Sequence, residues 1–205
     1  MSQPLIAVID YGMGNLRSVL NALHEVGGRG ALVAGPEEFK RFDKVILPGV
    51  GAFAEAMDNL RTSGIADALN GVVAAGKDLL GICLGMQLMC LDSQEHGRHQ
   101  GLGWIRARVL PFPRTPEIKV PHVGWNAIEF RRDDPILRKV ETGSDVYFVH
   151  GYYVDCEDED DVLASTEYGV RFVSIFGHDN VYGMQFHPEK SQSTGLQLLR
   201  NFATL

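Results

Sequence analysis

Three short apolar runs, each passing into a glycine-bearing turn, constrain this chain more than any other feature. Leu5-Ile6-Ala7-Val8-Ile9, Val45-Ile46-Leu47 and Leu79-Leu80-Gly81-Ile82 contain no polar side chain. A strand with one wet face alternates apolar and polar residues, so unbroken runs belong to strands covered on both faces. The first run ends in Asp10-Tyr11-Gly12-Met13-Gly14, and Asn15 stands where a helix N-cap belongs. Leu16, Val19, Leu20, Leu23 and Val26 then recur at helical spacing, with Gly27 at the C′ position. Ala31 to Ala34 reads as another short strand, 52–75 as helical material ending at Gly76, and Leu84 to Leu91 as a helix. Strands separated by helices give an α/β fold with a mostly parallel central sheet, flanked by helices through right-handed crossovers.

The second half carries strand-like runs with little helix between them: 105–110, 127–130, 146–149, 170–175 and 181–186. They predict additional antiparallel strands in the C-terminal half. Leu196, Leu199 and Phe202 restore helical periodicity over 191–202. The proline-rich stretch 111–121 reads as a loop, and the acidic run 157–161 as a solvated turn. No repeat or long linker divides the 205 residues, which predicts a single domain over 1–205 with roughly 9,500 Å² exposed. With 26 acidic and 19 basic residues the net charge is −7, which argues against a nucleic-acid partner. The first ten residues lack a basic leader, and the longest apolar stretch, 79–91, is broken by Gly81, Gly85 and Gln87, which argues against export and membrane insertion. Three cysteines with no paired spacing suit a reducing, cytoplasmic setting.

Gly81-Ile82-Cys83-Leu84-Gly85, between a strand and a helix, is the nucleophile-elbow pattern with cysteine in the serine position. Such a turn lifts the sulfur to the carboxyl edge of the sheet, at a helix N-terminus that favours thiolate. The N–H of Leu84 then faces a developing oxyanion. The competing reading is an ordinary core cysteine, which fits Cys90 on the same helix. A thiolate needs a base, and a base needs an orienter. Among seven histidines, His187 stands in His187-Pro188-Glu189, where proline keeps the histidine extended and residues two apart share a side, so that Glu189 reaches the ring. His24 reads as a surface residue, and His122, His150 and His178 as structural. His96 and His99 lack the partners of a metal site, and the H-x-E motif lacks the cysteine pair of a zinc deaminase. Pro48-Gly49-Val50-Gly51 is a candidate second oxyanion donor. Gly12-Met13-Gly14 fails as a dinucleotide fingerprint because Arg17 occupies the third glycine position.

Together the elbow, the H-P-E segment and the Pro48–Gly51 turn resemble the class I glutamine amidotransferases of the triad type. Ile9-Asp10-Tyr11-Gly12-Met13-Gly14-Asn15-Leu16, Leu47-Pro48-Gly49-Val50-Gly51-Ala52-Phe53 and Val120-Pro121-His122-Val123-Gly124-Trp125-Asn126 resemble, within that family, the glutaminase subunits of imidazole glycerol phosphate synthase. The resemblance spans essentially the whole chain and implies a flavodoxin-like fold with no cofactor and no metal. It implies Cys83 as nucleophile, His187 as proton shuttle and Glu189 as orienter, with Leu84, Gly49, Val50 and Gly51 at the oxyanion. It implies that Gln87 and the backbone of His150, Gly151 and Tyr152 hold glutamine. It also implies a heterodimer with a (β/α)8 cyclase subunit that receives ammonia, with Asn15, Trp125, Tyr147 and Lys190 near the interface. Gly151 departs from the Ser or Thr frequent in the family, which removes a hydroxyl contact. Competing readings are an amidotransferase feeding another synthase, a γ-glutamyl hydrolase, and a non-catalytic regulatory subunit. The 122–126 segment argues against the first two, and the complete triad against the third.

Overall fold

The structure is a computed structural model that describes residues 3–116 and 118–205, so Glu117, within the predicted 111–121 loop, lies outside the described residues. In the first half, β1 (Leu5–Ile9), α1 (Leu16–Glu25), β2 (Arg29–Val33), β3 (Lys44–Gly49), α2 (Phe53–Thr62), α3 (Ile65–Ala74), β4 (Leu79–Cys83) and α4 (Leu84–Leu88) follow one another. The strands lie in the order β2-β1-β3-β4, all parallel. Alternate residues of the apolar runs enter different cores. Ala7, Ile9, Val45, Leu47 and Leu79 pack on one face of the sheet, and Ile6, Val8, Ile46, Leu80 and Ile82 on the other. This two-sided burial is why the runs carry no polar residue.

The second half contributes β5 (Cys90–Ser93), β6 (His99–Gln100), β7 (Ile105–Pro111), β8 (His122–Phe130), β9 (Ser144–His150), β10 (Tyr152–Cys156), β11 (Val162–Glu167), β12 (Arg171–His178), β13 (Val181–Met184) and α5 (Gln192–Thr204). The predicted antiparallel strands are present: β12 pairs antiparallel with β13, β10 and β11, and β8 with β11 and β9. The pairing that matters for chemistry is the parallel one between β13 and β4, with Met184 opposite Ile82. It brings the chain leaving β13 to the same sheet edge as Cys83. The accessible surface is 9506 Å², as the chain-length scaling predicts.

Four local expectations are corrected. The helical stretch 52–75 is two helices, broken at Gly64, whose φ of +75° suits glycine. Helix α4 stops at Leu88, and Cys90 opens β5, so Cys90 is a buried core cysteine but not a helical one. Residues 101–105 impose that stop: Leu102 N–H bonds Leu88 O, and Trp104 and Ile105 N–H bond Met89 O. Within the acidic run, Asp161 is buried and paired with His178 Nδ1 at 2.7 Å rather than solvated. Asn15 sits at the N-cap of α1 without a capping side-chain bond.

Candidate active site

The strand-to-helix turn at Cys83 is as tight as its glycines suggest. Cys83 adopts φ 55°, ψ −112°, a conformation costing about 1–3 kcal/mol and typical of functional turns. A Cβ on Gly85 would overlap the Leu47 carbonyl, and one on Gly81 would lie 2.6 Å from Met89 Cε and 2.7 Å from the Gly85 backbone. Neither position tolerates a side chain.

His187 and Glu189 meet as expected, by a different route. His187 is extended (φ −95°, ψ 96°), but Pro188–Lys190 form one 3₁₀ turn, and this turn swings Glu189 back to His187. Nδ1 of His187 donates to Glu189 Oε1 at 2.8 Å, with the Glu189 side chain wholly buried. Nε2 is therefore the nitrogen left for Cys83; it is buried and makes no hydrogen bond among the described residues. Burial is the largest influence on the ring and lowers its pKa, but the Cys83 thiol and Glu189 outweigh it and raise the value to about 9. Ser191 Oγ donates to His187 O at 2.6 Å and accepts from Tyr147 N–H at 3.0 Å, tying this turn to β9. Asn15 Nδ2 reaches Glu189 Oε1 at 3.4 Å.

Cys83, Leu84, His187, Val50, Gly51 and Gln87 line one cavity of about 290 Å³, together with His150, Gly151, Tyr152 and Lys190. Gly49 lies opposite Cys83 in the β3–β4 register. A Cβ there would come within 2.6 Å of Tyr11 Oη and 2.8 Å of Gly85 N. The Tyr11 hydroxyl is buried without a hydrogen-bond partner among the described residues, and burial, then Cys83, raise its pKa, so it stays protonated. Tyr11, Ser191 and Gln185, whose Oε1 accepts from Gln87 Nε2 at 3.0 Å, escaped sequence reasoning. Val50, Val120, Val123 and Trp125, each 41–55% exposed, are among the large apolar side chains left open to solvent, and Trp125 packs on Tyr147 with centroids 5.9 Å apart.

Gly151 has room. A Cβ there would meet only Val120 Cγ1 at 3.7 Å, an ordinary contact. Gly151→Ser should therefore fold normally, with a Tm within about 2 °C of the parent chain in calorimetry.

His122 and His150 are packed among Phe112, Phe148, Tyr168 and Phe172. Burial pulls the pKa of His122 to about 4 and, with the neighbouring histidines, that of His150 to about 3. Between the ordinary value near 6.5 and these values, the unfolded chain binds protons that the folded one refuses, so stability falls as pH falls. His187, with its raised pKa, contributes a constant amount below 6.5. From pH 7 to 5 the two buried rings should cost about 2–4 kcal/mol, lowering Tm by about 5–10 °C in calorimetry. A Tm that holds or rises would contradict their neutrality.

A buried thiol at an elbow and a carboxylate-oriented imidazole lining the same cavity are the parts that acyl transfer through a covalent intermediate requires. The family described as glutamine amidotransferase class-I matches residues 7–205, and the chain belongs to that family. A solved structure described as a glutamine amidotransferase superposes with a TM-score of 0.74 at 20% identity, covering 97% of this chain and 99% of that one. Much closer in sequence are proteins named imidazole glycerol phosphate synthase subunit HisH. The one from Sulfurimonas denitrificans is 45% identical, over 97% of both chains, and the one from Geobacillus thermodenitrificans 49% identical, over 97% of this chain and 94% of its own. At that likeness the chain falls within the HisH glutaminase subunits.

Proposed function

We propose that this chain hydrolyses glutamine through Cys83, His187 and Glu189 and delivers the ammonia to a (β/α)8 cyclase subunit of imidazole glycerol phosphate synthase. The observation that carries the reading is the β13–β4 pairing, which sets the His187–Glu189 pair beside the Cys83 elbow. Cys83 sulfur attacks the side-chain carbonyl carbon of glutamine. The resulting oxyanion is met by the Leu84 N–H and the Gly49-Val50-Gly51 backbone. As the C–N bond breaks, His187 Nε2 gives its proton to the leaving nitrogen, and ammonia departs from a thioester. Water then attacks the thioester, yielding its proton to His187, and glutamate leaves as the thiolate is regenerated. Glu189 keeps Nδ1 protonated throughout, so that Nε2 does the proton transfer. Gln87 and the His150-Gly151-Tyr152 backbone hold the amino-acid end of glutamine.

Ammonia released to water becomes ammonium and loses its nucleophilicity, so the cavity must open onto the partner. Exposed Val50, which lines that cavity with Lys190, and exposed Val120, Val123 and Trp125 are apolar side chains for the partner to cover, together with Asn15 and Tyr147. Because Val50 belongs to both the docking face and the oxyanion loop, docking sets the loop. The isolated chain should hydrolyse glutamine slowly, and the ligand-bound cyclase should accelerate it about 10²–10³-fold, the worth of one oxyanion donor. Full turnover by the lone chain, or a complex that makes no product from glutamine, would overturn this reading. Free cysteines suit a reducing cytoplasm.

A further inference from the structure

The glutamine pocket has a polar back wall whose hydrogen-bond polarity is fixed from one end to the other. Tyr152 O can only accept, so the 2.8 Å bond to it puts the proton of His150 on Nδ1. His150 is neutral, so its Nε2 accepts, and the 3.0 Å contact there makes His122 Nδ1 the donor. The neutral His122 then presents a lone pair at Nε2, which faces Asn126 Nδ2 at 3.4 Å. Asn126 is oriented in turn, with Nδ2 donating to Glu167 O and Oδ1 accepting from Ala127 N–H. On the pocket side, Gln87 Nε2 donates to the same Tyr152 O and to Gln185 Oε1, both at 3.0 Å. Both amide hydrogens of Gln87 are thus taken. Its Oε1, without a hydrogen bond among the described residues, is the end left for a ligand in the cavity that Gln87 lines.

We infer that His122 is a positioning residue: through His150 it holds the Tyr152 carbonyl, which keeps the Gln87 amide turned with its oxygen toward the substrate. Resting on the glutaminase reading above, this assigns the pocket a built-in demand for a hydrogen-bond donor, which the α-ammonium of glutamine supplies. The relay begins on β8, the strand that carries exposed Val123 and Trp125, so the same strand serves the docking face and substrate selection.

The test compares glutamine with glutaramate, which lacks the α-amino group, on the full chain in complex with the cyclase. In His122→Leu the preference for glutamine, as a ratio of kcat/KM values, should fall about tenfold, what one oriented hydrogen bond is worth, mostly through KM for glutamine. His122→Asn, which keeps an N–H near the place of Nδ1, should recover most of it. An unchanged ratio in folded His122→Leu, or an equal loss in His122→Asn, would overturn the assignment. A second measurement needs no variant: ¹⁵N NMR of the imidazoles should find both rings as Nδ1–H tautomers, and an Nε2–H tautomer in either would refute the relay. Were the unmodified chain to hydrolyse no glutamine at all, the glutaminase reading would fail, while the tautomers would still decide the relay.

Discussion

Cys83→Ala should lower glutamine-dependent synthesis by about 10⁴-fold or more, since removing the nucleophile of a triad leaves only binding and oxyanion stabilisation. The variant should fold. Alanine is smaller than cysteine, and the strained φ of 55° is imposed by neighbours that the substitution does not touch. Synthesis from added ammonium salts should survive, because that route bypasses the thiol. Measuring both rates on one preparation separates loss of chemistry from loss of the complex. Glutamine-dependent synthesis persisting in Cys83→Ala would leave the chain a regulatory subunit.

Gly85→Ala should be the most destabilising single-methyl change among those considered. The added Cβ would overlap the Leu47 carbonyl oxygen within β3, and the atoms it meets are main chain of Leu47 and Pro48, which cannot swing aside as a flexible side chain would. Overpacking against main chain costs about 4 kcal/mol, which lowers Tm by about 8–16 °C in a domain of this length. Gly151→Ala is the matched control, since its Cβ meets only an ordinary contact. If the two variants melted together, the close approach at the elbow would not be what requires glycine.

The parallel half of the fold was legible because its signals are local: unbroken apolar runs for strands buried on both faces, and glycines where the turns are tight. The elbow was legible for the same reason, since 81–85 encode their own geometry. What local pattern could not supply is adjacency. Nothing near His187 says that β13 lies beside β4 rather than at an edge, and the pairing of imidazole with thiol depends on that choice. Strands β10 and β11 were missed because their polar residues blur the alternation and an acidic run separates them. Propensity misjudged Asn15. It stands at the N-cap, but its Oδ1 takes no backbone N–H of α1, and its Nδ2 donates to the buried Glu189 carboxylate, a partner 174 residues away that no local pattern names. The stop after Leu88 was invisible for a related reason: residues 101–105, well outside any helical window, capture the carbonyls that α4 would have used. His122 read as structural, and its tautomer emerges only when each partner's donors and acceptors are counted.

The most direct test is to treat the chain with an electrophilic glutamine analogue and locate the adduct by mass spectrometry, with and without the ligand-bound cyclase. One equivalent should attach at Cys83, faster in the complex, slowed by competing glutamine and by His187→Ala, with Cys90 and Cys156 unmodified. An adduct elsewhere, or full glutamine turnover after Cys83 is blocked, would contradict the assignment of that sulfur as the nucleophile.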